Sequence, residues 1–233
     1  NLDKNMARNI TFAPGEFYHI YNRGTDKRKI FLSRADYDRF LTLVYLSNGS
    51  ARFHFANIPK PNRQRGSTSL TIGSSSLMEV DRGTPLVNIA AYCLMPNHFH
   101  LLLREKTDGG ISRFMQKFTT GYTMYFNTRY DRSGALFQGR FKATHTNDDR
   151  YLSYLISYIH LNPIKLIDAK WKEYGIRNMA RANTYLEGYR YSSYLDYLGR
   201  SRPENILIDK DVLPKYFETP KDFKKNATEW FEF

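Results

Sequence analysis

The sequence predicts an α+β fold, an antiparallel sheet with helices packed on it, followed by an α-helical C-terminal extension. Three observations carry this. Hydrophobic residues make up 41% of the 233-residue chain and include 18 Tyr, 16 Phe and 2 Trp, too many rings for a disordered polycation and enough for a sizeable core. Strand-like and helical patterns alternate in the order β, α, loop, β, β, α, β, α, followed by a tail. Two of the strand-like runs are separated only by Pro96-Asn97, a connection that suits antiparallel neighbours.

Glu16 to Arg23 is aromatic and β-branched and stops at Gly24, which reads as a strand and a turn. Ser33 offers an N-cap, and Tyr37, Phe40, Leu41, Val44 and Tyr45 recur at helical spacing to about Leu46. From Asn48 to about Pro85 the composition turns to Ser, Thr, Gly and Pro. This reads as an inserted mobile loop without a core of its own, in which Leu70 to Ile72 and Leu77 to Val80 would form a short hairpin. Leu86 to Met95 suits a buried strand, and His98 to Leu103 its partner. Gly109-Gly110 opens a helix with Ile111, Phe114, Met115, Phe118, Tyr122, Tyr125 and Phe126 on one face, ending near Arg132-Ser133-Gly134. Leu136 to His145 is one more strand-like run. Asp148 or Asp149 caps a helix from Arg150 to Leu161, which the Asn162-Pro163 pair is expected to stop. The tail carries helical pieces around Ser192 to Leu198 and a last helix from Pro220 to Phe231. The expected organisation is an N-terminal segment 1–15, a core 16–163 with the insertion at about 48–85, and an extension 164–233.

Lys and Arg number 35 against 23 Asp and Glu, a net charge of +12. Such an excess points to a polyanion or a charged membrane surface. The longest apolar stretches, such as Ile89 to Met95, fall far short of a spanning helix, and Asn1 to Pro14 lacks the apolar centre of a secretion signal. Cys93 is the sole cysteine, so no internal disulfide forms, which suits a reducing cytoplasm. Nucleic acid is therefore the expected partner.

His98 and His100 stand two apart on one short strand, so both imidazoles face the same side while Phe99 points into the core. Two neighbouring imidazoles are half of a metal site, or an incidental pair, until a further ligand joins them. Tyr158 and Asn162, at i and i+4, share a helical face and can address the same point. Tyr151, Tyr154 and Tyr158 read equally as an aromatic core stripe, and Asn162 as a helix end. His160 lies about 200° around the helix from Tyr158 at about 100° per residue, away from any such site.

At these residues the sequence resembles the histidine-hydrophobe-histidine (HUH) single-tyrosine transposases, small bacterial insertion-sequence enzymes and their REP-associated relatives. His98-Phe99-His100 after Leu94-Met95-Pro96-Asn97 is similar to their HUH motif, and Tyr158-x-x-x-Asn162 to their nucleophile helix. Tyr18 to Gly24, Leu136 to Lys142, Asn162-Pro163 and Tyr189 to Tyr194 resemble the REP-associated branch, so the likeness spans roughly Glu16 to Gly199 outside the 48–85 loop. Some relatives carry Gln where Asn162 stands, and the shorter Asn requires a closer helix.

The resemblance implies a ferredoxin-like or RRM-like core, with Tyr158 as nucleophile and a divalent ion, Mg²⁺ or Mn²⁺, held by His98, His100 and Asn162. It also implies single-stranded DNA with a hairpin as substrate, cut through a 5′-phosphotyrosine link and rejoined by reversal. Monomeric and dimeric forms both occur in such enzymes. The chemistry agrees: an attached phenolate is a reversible nucleophile, and two nitrogens with one amide oxygen and no thiolate suit Mg²⁺ or Mn²⁺ better than structural zinc. Arg23, Lys27, Arg28, Lys29, Arg140 and Lys142 are the candidate DNA contacts, and the many rings offer stacking platforms for unpaired bases. His19, Asn22 and His145 are further candidates near metal or phosphate. Two other readings are a domesticated hairpin-binding protein with lost or incidental cleavage, and a metallohydrolase that ignores Tyr158.

Overall fold

A computed structural model describes residues 10–51, 72 and 74–229. β1 (Phe17–Arg23), β2 (Val87–Met95), β3 (His98–Glu105) and β4 (Lys142–Thr146) form one sheet in the order β2-β3-β1-β4, every neighbouring pair antiparallel. α1 (Arg34–Ser47) and the single turn α2 (Ser75–Met78) lie between β1 and β2, and α3 (Gly110–Arg129) between β3 and β4. β1 and β2 thus run parallel with β3 inserted between them, the split βαβ arrangement of ferredoxin-like sheets.

Strand alternation sorts the side chains onto two faces. Tyr18 and Ile20 of β1, Phe99, Leu101 and Leu103 of β3 and Tyr92 and Leu94 of β2 pack under α1 and α3, against Phe40, Val44, Phe114, Phe118 and Tyr122. Cys93 and Met95 of β2 and Leu102 of β3 face the other way. They are covered by Leu152, Ile156 and Ile159 of α4 (Asp149–Leu161) and by the extension, through Trp171, Leu186, Tyr194 and Phe223. An irregularity between Ile89 and Ala91 lets both Ala90 and Ala91 join this second layer.

The extension comprises a 3₁₀ turn at Asn162–Leu166, then α5 (Trp171–Tyr174), α6 (Met179–Gly188), α7 (Tyr194–Tyr197) and α8 (Pro220–Glu229). It caps the outer edge of β2: the Leu94 amide donates to Tyr191 O (2.9 Å), the Ser193 amide to Tyr92 O (3.0 Å) and the Asp209 amide to Ile89 O (2.9 Å). Arg202 fastens this layer by donating to Asp196, to the Tyr92 hydroxyl and to the carbonyls of Arg190 and Ser192.

Several boundaries differ from the expectation. The last strand begins only at Lys142, because Gly139 takes a left-handed φ of 68° that breaks the run, while Phe137 bridges to Gly24. Leu77 lies in a helical turn rather than a hairpin arm, its amide bonded to Ser74 O, and its fully buried side chain joins the main core; Leu70 lies outside the described residues. Pro163 does not stop the helical path. Asn162 stays helical (φ −52°, ψ −37°), and Pro163 sits in the first turn of the 3₁₀ segment, where its missing N–H costs nothing.

Candidate active site

The second face of the sheet carries the site. β3 begins at His98 because the two-residue Pro96-Asn97 turn ends there, and Phe99, fully buried against Phe40, Phe118 and Phe137, pins the strand so that His98 and His100 face α4. The imidazoles share one face, as their spacing predicts, and that face is covered: His100 is buried and His98 half-buried, because α4 and the extension roof it.

β1 contributes the neighbours. Tyr21 pairs with His100 and Arg23 with His98, and His19 Nε2 lies 2.9 Å from His100 Nδ1 with the rings stacked at 5.0 Å. His100 Nδ1 is therefore occupied, whereas its Nε2, although buried, has no hydrogen-bond partner among the described residues. His98 is oriented in the same sense: its Nδ1 lies 2.6 Å from Asn97 Oδ1, leaving Nε2 as its remaining ring nitrogen. The two rings meet at 90° with centroids 5.0 Å apart.

α4 is capped by Asp148, whose carboxylate accepts the Tyr151 amide at 2.7 Å. Its apolar face on the sheet sets Tyr158 edge-on to both buried imidazoles, 5.7 Å from His100 and 6.0 Å from His19 between ring centroids. Tyr154 and Tyr158 stand 5.9 Å apart, and Tyr151 and Tyr154 6.2 Å, so the aromatic stripe leads into the site. Asn162 is buried. Its Nδ2 donates to Tyr158 O (2.7 Å), which turns Oδ1 toward the ammonium of Lys172 at 3.5 Å. Lys172 Nζ also lies 3.9 Å from the centre of the Tyr158 ring. Sequence reasoning missed Lys172. It follows Tyr158 by a 3₁₀ turn and a loop, and no local spacing ties it to either motif.

Burial, then the charges of Lys165, Lys172 and Arg23, push His98 down to about 4; burial and Lys172 push His19 down to about 3; burial with His19, His98 and Lys172 holds His100 well below its usual range. All three are neutral near pH 7, the form that offers a lone pair. Burial, then Tyr154, Tyr21 and Tyr151, push the Tyr158 phenol up to about 12.

The donors fit a divalent ion. Two neutral imidazoles have Nδ1 engaged and Nε2 left over, the posture of metal-ligating histidines, and a buried amide oxygen already faces a cation. Among the described residues no group of three His, Cys, Asp or Glu is placed to hold a metal.

Of the candidate DNA contacts, Arg23, Lys27, Lys29, Arg140 and Lys142 are exposed and Arg28 is half-buried. Arg23 lies beside His98 and donates to Gln138, Lys142 lies 6.0 Å from the Tyr21 ring, and Arg28 is paired with Asp26 at 3.5 Å. Asn22 is spent on the Gly139 carbonyl, His145 on Glu16, and His160 packs among Tyr197, Phe223 and Ser193 away from Tyr158.

Residues 49–162, the stretch that holds His98, His100, Tyr158 and Asn162, match the family model described as IS200-like transposase, a class of DNA-processing enzymes. The match spans 114 of the 233 residues, so just under half of the chain is similar to IS200-like transposases. Two solved structures are similar to it at low identity. One, a REP-associated tyrosine transposase bound to a REP hairpin, has 12% identity and a TM-score of 0.47, over 86% of this chain and 90% of that one. The other, tRNA(His) guanylyltransferase from Saccharomyces cerevisiae, has 9% identity and a TM-score of 0.36, over 93% and 86%. No curated protein matches the sequence. No described helix is long and apolar enough to cross a membrane.

Proposed function

We propose that this protein is a transposase, a metal-dependent single-stranded DNA endonuclease and strand transferase that acts at or near hairpins, with Tyr158 as its nucleophile. The observation that carries the reading is the edge-on approach of the Tyr158 ring to His100, whose buried Nε2 has no hydrogen-bond partner among the described residues. His98, His100 and Asn162 would hold Mg²⁺ or Mn²⁺, which when bound polarises a non-bridging phosphate oxygen.

Tyr158 Oη forms a bond to phosphorus as the bond from phosphorus to the 3′ oxygen breaks. The phenolic proton leaves and the departing 3′ oxygen gains one. The 5′-phosphotyrosine conserves the bond energy, so a 3′-hydroxyl from the same or another strand can reverse the step and release the phenol. Lys172, at the ring face, stabilises negative charge on the phenolate oxygen as it forms. His19 holds the His100 ring, and Arg23 and Lys142 border the site where a strand would enter. Phosphate contacts of this kind make binding fall steeply with salt.

The test is incubation of the full chain and Mn²⁺ with end-labelled single-stranded hairpins carrying randomised flanks, followed by denaturing electrophoresis. A covalent protein–DNA adduct that disappears in Tyr158→Phe supports the reading. Hairpin binding without an adduct under any divalent metal favours a binding protein, and cleavage that survives Tyr158→Phe favours a hydrolase.

A further inference from the structure

The turn that delivers His98 is held by the loop at residues 24–31, and one side chain connects the two. The Gly24 amide donates to Asn97 O (2.9 Å), and the Ile30 and Phe31 amides donate to Pro96 O (2.9 and 3.2 Å). The loop is tightly closed: a Cβ at Gly24 would stand 2.3 Å from Arg28 O, and Asp26 and Lys27 both hold left-handed φ angles of 54° and 58°. Two successive non-glycine residues in that region cost about 1 kcal/mol or more each. The surrounding bonds therefore impose the geometry. It presents the Lys27 carbonyl to Asn97 Nδ2 at 3.2 Å.

That bond settles which way the Asn97 amide points, because the reversed amide would set its oxygen against the Lys27 carbonyl. With Nδ2 on Lys27, Oδ1 is the acceptor 2.6 Å from His98 Nδ1. An acceptor at Nδ1 puts the imidazole hydrogen there and leaves the lone pair on Nε2.

We propose that Asn97 is a positioning residue for His98: tied to the Lys27 carbonyl, it selects the Nδ1–H tautomer and fixes the ring so that Nε2 is free to bind a cation. The metal half of this inference rests on the proposed function, and the tautomer half does not. The basic segment Lys27–Lys29 is thereby in mechanical contact with a metal ligand through one amide.

The test uses the full-length, metal-free chain with ¹⁵N-labelled histidine and long-range ¹H–¹⁵N correlation at neutral pH, the His98 signals being assigned by their loss in His98→Gln. In the unaltered protein His98 shows a protonated Nδ1 and a bare Nε2. In Asn97→Ala the Nδ1 proton is lost or shared with Nε2. In Asn97→Asp, which keeps an acceptor, the original pattern returns. Mn²⁺ titration of the same three proteins gives affinity about 10–100-fold weaker for Asn97→Ala, with recovery in Asn97→Asp. Unchanged His160 signals in each variant show that the fold is kept. A His98 that stays Nδ1–H in Asn97→Ala overturns the proposal, as does Mn²⁺ affinity unaltered by that substitution. If the unaltered protein binds no Mn²⁺, the metal reading fails by itself and the tautomer comparison still decides the role of Asn97.

Discussion

The Tyr158 phenol is a poor nucleophile as it stands. With its pKa pushed up to about 12 by burial and by neighbouring tyrosines, only about one molecule in 10⁵ carries phenolate at pH 7. The proposed attack by Tyr158 would gain from positive charge beside the ring, and Lys172 Nζ stands 3.9 Å from its centre. Lys172→Met is expected to slow adduct formation roughly tenfold, a loss of ~1.4 kcal/mol of transition-state stabilisation. Gel-shift affinity for the hairpin should change much less. A proportional loss of rate and affinity would instead make Lys172 a general DNA contact. His98, His100, Tyr158 and Asn162 stand out as candidates in the sequence because two short motifs carry them at fixed spacing. The sequence offers His19 as a candidate beside the metal, whereas the contacts of Lys172 and Asn97 are meetings between elements that no spacing encodes.

α4 presents two chemistries from one helix. Tyr158 faces the site, and His160, 0% exposed and held by Ser193 Oγ at 2.7 Å, faces the extension. Burial pushes His160 down to about 3, against about 6.5 in the unfolded chain. Between those values the unfolded state binds a proton that the folded state does not. Stability is therefore full above about pH 6.5 and declines as the pH falls toward 3, by on the order of 1 kcal/mol per pH unit from this residue. Urea unfolding at pH 7, 6 and 5 should show that decline, and His160→Gln should make it shallower. An identical pH dependence in the variant would refute a neutral, buried His160. The helix itself was readable from its apolar spacing and its Asp148 cap. Its continuation past Asn162 was not, since a proline after Asn162 reads as a stop unless a 3₁₀ turn accepts it. β4 was misjudged for a related reason: Leu136 to Phe141 is as apolar and aromatic as a strand, and only the left-handed Gly139 ends the extended run.

At the scale of the molecule, the sheet, α4 and the extension assemble the site within one chain. β1, β3, α4 and the segment carrying Lys172 all converge on His100 and Tyr158. The extension also occupies the outer edge of β2, a position that would otherwise offer unpaired backbone to a second sheet. The sequence left open whether histidines and tyrosine come from one chain or two, because a motif does not say which copy it serves. If one chain supplies both, a mixture of His98→Ala and Tyr158→Phe proteins should form no more adduct than either protein alone. Recovery on mixing would show that sites are shared between subunits. Of the basic residues behind the +12 charge, Arg23 pairs with His98, Lys142 lies 6.0 Å from the Tyr21 ring and Lys172 stands at the Tyr158 ring.

Mass spectrometry of the trapped covalent complex, digested with protease and nuclease, tests the central claim most directly. The account predicts a nucleotide 5′-phosphate on the peptide that contains Tyr158, lost in Tyr158→Phe and retained in Tyr21→Phe, the other tyrosine beside His100. A phosphorylated Tyr21 or Tyr154 peptide, or hairpin cleavage that proceeds in Tyr158→Phe with no linked peptide, would contradict it.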